Sequence, residues 1–128
     1  MPDADPDLPV SPAPLPVLFT LVAVGGALGS LARYGLAVAG PGLVTTLATN
    51  VLGSFALGVL VARRPEGRWS RPFLGTGVLG GFTTFSTFAV QTVDASVPAG
   101  IAYVAGTLAL GIGAASLGMA AGRTRGSG

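Results

Sequence analysis

The chain has 128 residues, half of them hydrophobic and only 9% charged, and it contains no Cys, His or Lys. So few charges cannot cover a water-soluble domain, which places the chain among integral membrane proteins, and the missing Cys and His exclude disulfides, thiol catalysis and the usual zinc or haem ligands. The formal net charge of +2 comes from arginines scattered at the ends of apolar runs, which make no phosphate-binding stripe, so no nucleic-acid partner is expected.

A bilayer core of about 30 Å takes about 20 apolar residues per crossing, so the usable length allows about four spans and no soluble domain besides. Residues 1–14 carry Asp3, Asp5 and Asp7 among five prolines, a composition that cannot bury a core and reads as a disordered tail. The basic start and small-residue cleavage site of a signal peptide are missing. The membrane-spanning part is expected over residues 15–122, with 123–128 as a short C-terminal tail.

Span 1 is predicted from about Leu15 to Ala39. Gly25, Gly29 and Arg33 fall at i, i+4 and i+8, so one stripe offers close backbone approach and then a guanidinium near the far end. Two readings of Arg33 stand: it snorkels to the interface, or it faces a water-filled vestibule and draws anions. Gly40-Pro41-Gly42 then turns the chain into span 2, about Leu43 to Ala62, where Thr46, Asn50 and Ser54 form a polar stripe. Asn50 is the costly member at mid-membrane. It either hydrogen-bonds a neighbouring helix or stands on a permeation path.

The loop Arg63-Arg-Pro-Glu-Gly-Arg-Trp-Ser-Arg71 holds four of the seven arginines and an interfacial tryptophan, so it is expected on the cytoplasmic side. Span 3 follows, an uncharged run from Pro72 to Val93. Between Gly80 and Phe88 it packs two glycines, four hydroxyl residues and three phenylalanines into nine positions. Gly80-Gly81 invites the helix to break, and irregular backbone at membrane depth is tolerated only where it is buried in protein or lines a cavity. Asp94-Ala-Ser-Val-Pro98 turns into span 4, about Ala99 to Gly122, in which Tyr103, Thr107 and Gly111 repeat the i, i+4, i+8 pattern.

No enzyme fits this inventory, because there is no His, Cys or Lys and no carboxylate inside a span. The same absence argues against proton-coupled export and against cation conduction through carboxylate rings. What remains is neutral hydrogen-bond donors, one arginine and a set of aromatic rings. Phe85 and Phe88, three residues apart, share a helical face, and Thr84, Thr87 and Gln91 share another. An aromatic ring has a positive edge, so ring edges, amide hydrogens and hydroxyl hydrogens can replace water around a small anion without a full charge to trap it. Core packing is the plain alternative for the two rings, and their place beside the expected break favours the anion path. Carbonyls released at the break suit a small cation such as sodium; one chain supplies too few, and two copies meeting there would supply about four.

Three motifs carry a family resemblance: Gly25-Gly-x-x-Gly29 with Arg33-Tyr34; Thr46-x-x-x-Asn50-x-x-Gly53-Ser-Phe55; and Gly80-Gly-Phe-Thr-Thr-Phe-Ser-Thr-Phe88. Together they resemble the CrcB/Fluc family of fluoride channels over all four spans in order. The resemblance implies an all-α membrane protein of four transmembrane helices, the third broken at Gly80-Gly81, assembled as an antiparallel dimer with two fluoride pathways. It implies a structural, untransported sodium ion at the dimer centre, on backbone carbonyls of Gly80 and Thr83. The anion pathway it implies runs past Asn50, Phe85, Phe88, Tyr103 and Thr107, with Arg33 at the vestibule; Thr46, Thr84, Ser86 and Thr87 complete the expected pathway set. Gly111 stands where a serine is common and Gln91 where a glutamate is common.

The function expected is passive export of fluoride across the inner (plasma) membrane, with a small multidrug-type exporter or a non-transporting membrane subunit as alternatives. Orientation is read from arginines. Arg63, Arg64, Arg68, Arg71, Arg123 and Arg125 share one side and only Arg33 approaches the other, which predicts both termini in the cytoplasm. A chain fixed in one orientation has no inverted copy of itself. An antiparallel partner is then a related subunit of opposite bias, the alternative being a homodimer of dual topology.

Overall fold

The computed structural model describes residues 13–63 and 68–125. The expectation of a disordered tail therefore falls, for residues 1–12, outside the described residues, as do Arg64 and the middle of the arginine-rich loop. Among the described residues every regular element is helical: α1 (Leu15–Ala39), α2 (Leu43–Arg63), a π-helical segment (Arg71–Leu79) continuing into the short α3 (Gly80–Phe82), then α4 (Ser86–Asp94) and α5 (Val97–Arg125). Four stretches are long and apolar enough to cross a membrane: α1, α2, Arg71–Asp94 as one unit, and α5.

The turns follow from their residues. Pro16 sits in the first turn of α1, where its missing N–H costs nothing. At the far end the Gly40 N–H closes on the Leu36 carbonyl at 3.0 Å, and Gly42 takes φ 122°, a left-handed backbone that a side chain would resist. Pro41 between them cannot extend α1, so the chain reverses into α2.

The third span departs from expectation in where it stops being helical. Gly80 has φ −63° and ψ −39°, ordinary helical values, and both Gly80 and Gly81 lie within α3. Helical geometry lapses three residues later, at Thr83 with φ −76° and ψ 155°, and resumes at Ser86. The expected interruption at Gly80-Gly81 is thus displaced to residues 83–85. The physical reason lies at Gly81, which serves packing: a Cβ there would collide with the Gly26 backbone of α1, while Gly80 keeps ordinary helical geometry.

Packing is built on such close approaches. α1 lies along the first half of the third span, and α2 lies along α5. A Cβ on Gly25 would come 2.5 Å from the Phe73 carbonyl oxygen, and one on Gly29 would lie 2.8 Å from the Phe82 nitrogen. Between α2 and α5, Gly58 faces the Ala115 carbonyl and Gly118 the Phe55 carbonyl at similarly short range. Small residues therefore fill the interior while Phe19, Val93 and Ile112 point outward. In lipid, where apolar burial does not drive helix association, close backbone contact is what holds spans together.

Candidate functional site

The lapse over residues 83–85 removes backbone hydrogen bonds that must be replaced, and the replacements define the site. In a continuous helix the Thr84 N–H would donate to the Gly80 carbonyl. Here it donates to Asn50 Oδ1 at 2.8 Å, while Asn50 Nδ2 donates to the Thr84 carbonyl at 2.9 Å. The side-chain amide of α2 thus pairs with both the N–H and the C=O of one residue of the third span, as a neighbouring strand would. The Gly80 carbonyl is left without its helical donor. Of the two readings of Asn50, the structure shows the helix-to-helix hydrogen bond, made to the interrupted backbone itself.

One residue on, the Gly81 carbonyl receives Arg33 Nε at 3.2 Å and Ser30 Oγ at 3.4 Å, both from α1. Arg33 is half-buried and does not simply snorkel outward: its guanidinium sits at the carbonyl end of α3, where the helix dipole favours a cation. Ser30 was not singled out by sequence. Its signal would have been its spacing, one turn from Gly26 and Arg33 on the stripe that meets the third span.

The next half-helix starts with its own cap. Thr84 Oγ1 accepts from the Thr87 N–H at 3.2 Å and lies 3.3 Å from Thr87 Oγ1 and 3.4 Å from Ser86 Oγ. Thr84, one residue before the Phe85 N-cap, thus satisfies a first-turn donor of α4. Thr83 bonds back instead, its hydroxyl donating to the Leu79 carbonyl at 3.0 Å. Gly53 makes room for it, since a Cβ there would strike Thr83 Cγ2.

Three aromatic rings follow in a row. Phe85 and Phe88 have centroids 5.9 Å apart, Phe88 and Tyr103 5.1 Å, both pairs tilted by nearly 50° so that edges meet faces. Phe85 is 78% exposed while Tyr103 is 5% exposed, so the row runs from the surface into the α2–α5 contact. The Tyr103 hydroxyl donates to Gln91 Oε1 at 2.9 Å and neighbours Thr46. The Gln91–Tyr103 bond crosses between elements, and no periodicity within either span announces it.

A groove of about 420 Å³ collects seven of the twelve residues expected from sequence: Asn50, Gly80, Thr83, Thr84, Phe85, Phe88 and Thr107. No charged side chain lines it. Thr107 Oγ1 is buried on its wall with no hydrogen-bond partner among the described residues. The remaining five stand around it: Ser86 and Thr87 in the first turn of α4, Tyr103 against Phe88, Thr46 behind Tyr103, and Arg33 on the α1 side of the Gly81 carbonyl. Among the described residues there is no cluster of three His, Cys, Asp or Glu. The oxygens that the described lining offers a cation are those of backbone carbonyls, threonine and serine hydroxyls and the Asn50 amide.

Comparison with known proteins agrees with this architecture. Residues 20–119 match the family described as CrcB-like protein, Camphor Resistance (CrcB). A Rhodococcus jostii protein named fluoride-specific ion channel FluC 1 is 53% identical over 102 residues, covering 80% of this chain and 82% of its own length. A Leifsonia xyli protein named fluoride-specific ion channel FluC 2 is 49% identical over 117 residues, covering 80% and 81%. One from Paracoccus denitrificans, named fluoride-specific ion channel FluC, is 43% identical over 116 residues, covering 82% and 94%.

Proposed function

The chain belongs to the CrcB-like family, and on that premise we propose that it is a multi-pass membrane channel specific for fluoride, exporting the anion passively from the cytoplasm. Hydrogen fluoride enters by diffusion and ionises inside, so a path for the anion needs no fuel. The observation that carries the reading is the uncharged groove beside residues 83–85, where ring edges of Phe85 and Phe88, the Asn50–Thr84 pair and the unpartnered Thr107 hydroxyl converge. Weak donors of this kind bind a small dehydrated anion without trapping it, as conduction requires. Tyr103, Thr46, Ser86 and Thr87 continue the line of hydroxyls, and Arg33 lends positive potential from the end of α3.

A structural sodium ion fits the same place. The Gly80 carbonyl lacks its helical donor, and Thr83, with extended backbone, lines the same groove. Gly80 and Thr83 would hold the ion, whose charge offsets the carbonyl ends gathered at the interruption. Two oxygens from one chain are too few for such an ion, and an antiparallel dimer meeting at this groove doubles them. Its second subunit is a related chain of opposite orientation or an inverted copy of this one. The arginine bias supports cytoplasmic termini in the inner (plasma) membrane.

The test is ion efflux from lipid vesicles reconstituted with the complex purified through a tag on this chain, read with a fluoride electrode and with chloride as control. Fluoride efflux far above empty vesicles with no chloride efflux is expected. Equal efflux of both ions, or of neither, overturns the reading.

A further inference from the structure

A second groove, away from the interruption, lies where α1 begins and the third span approaches its first turn. Its volume is about 370 Å³ and it is lined by Pro16, Val17, Thr20, Leu21 and Trp69. Among the described residues the one hydroxyl here is already spent, Thr20 Oγ1 donating to the Pro16 carbonyl at 2.8 Å, so the walls they form are apolar. The rim is different. The Arg68 guanidinium lies 5.6 Å over the Trp69 ring, and Arg71 is exposed two residues along. Among the described residues no carboxylate pairs with either arginine.

We propose that an anionic phospholipid occupies this groove, with its phosphate held by Arg68 and Arg71 and an acyl chain lying against Val17, Leu21 and the Trp69 ring. The argument is the match of two chemistries in one place. An apolar trough alone accepts any lipid tail: the larger groove between α4 and α5, about 580 Å³ and lined by Val97, Ile101 and Val104, has as its charged neighbour Asp94, between the lining residues Val93 and Ala95, which favours no anionic headgroup. At the Trp69 groove a guanidinium, that of Arg68, lies over the tryptophan that lines the trough, Arg71 is exposed two residues along, and tryptophan is of the type that anchors at the headgroup level. Arginine near a membrane surface favours anionic lipid, and its guanidinium can take phosphate oxygens two at a time.

The chain has one tryptophan, so with any tryptophan of a related partner subunit replaced by phenylalanine, Trp69 fluorescence reports this groove alone. The intact protein is placed in vesicles mixing phosphatidylglycerol and phosphatidylcholine, with bromine on the acyl chains of one lipid or the other as a contact quencher. Brominated phosphatidylglycerol should quench at a lower mole fraction, the preference being about fivefold per arginine. Arg68→Gln and Arg71→Gln should each weaken it and the double variant remove it, while fluoride efflux stays at the unsubstituted level as a control for folding. Equal quenching by the two lipids overturns the proposal, as does a preference that survives in the double variant. Fluoride efflux is read separately, so failure here leaves the channel reading untouched.

Discussion

The seam between α1 and the first half of the third span, and the lapse at residues 83–85 just beyond it, solve opposite problems. Along the seam, backbone meets backbone at Gly25, Gly29, Gly77 and Gly81, and the residues are small because nothing larger fits. At the lapse the backbone has lost its own hydrogen bonds, and side chains from other spans supply them: Asn50 to Thr84, Arg33 and Ser30 to Gly81. Glycine at these four positions therefore marks contact, and the place where the helix lapses is marked by polar residues on its neighbours. The seam is a run of close backbone contacts. The lapse is polar, partly open and lined by aromatic rings, which is what a small anion needs.

The comparison breaks first at the seam. Gly29→Val pushes carbon into the Val78 carbonyl and the Phe82 nitrogen, neither of which can move without unwinding the third span. Overpacking against backbone should cost at least about 3 kcal/mol. The expected outcome is loss of a monodisperse peak in size-exclusion chromatography. Gly35→Val, where a Cβ meets nothing within 4 Å, should leave the peak unchanged.

Within the site, the two phenylalanines should separate. Phe88 is held between two rings and Phe85 is largely exposed, so Phe88→Ile should cost about 1 kcal/mol of stability and Phe85→Ile almost none. Both substitutions keep an apolar side chain and remove the ring edge, so both should slow fluoride efflux. Efflux at the unsubstituted rate in both would show that the edges take no part.

A smaller effect is expected at Arg33. Arg33→Gln removes the cation from the carbonyl end of α3, a loss of about 0.5–1.5 kcal/mol read in thermal unfolding. Ser30 still reaches Gly81, so the protein should remain assembled and efflux should fall without vanishing.

Much of this was legible in the sequence, for uneven reasons. The four crossings follow from uncharged runs between arginines and turn residues, and those signals are local. The stripes of Thr46, Asn50 and Ser54 and of Tyr103, Thr107 and Gly111 were also legible, because helical spacing is a property of one element. The lapse was placed at Gly80-Gly81 because glycine permits both a break and a close contact, and only the position of Gly26 on α1 decides between them. Partners across elements were out of reach for the same reason. Nothing within α1 says that Ser30 and Arg33 converge on one carbonyl, and nothing in α4 says that Gln91 receives the Tyr103 hydroxyl.

The claim that side chains replacing lost helix bonds create the anion path rests most directly on Asn50. Asn50→Ala strips the partners from the Thr84 N–H and carbonyl, both only part-buried, at a cost of about 0.5–1.5 kcal/mol for each hydrogen bond lost. Fluoride efflux should be measured on this variant in vesicles, beside its chromatographic profile. The account predicts a protein that still elutes as the unsubstituted complex does and conducts no fluoride. Fluoride efflux at the unsubstituted rate from that same folded complex would contradict it.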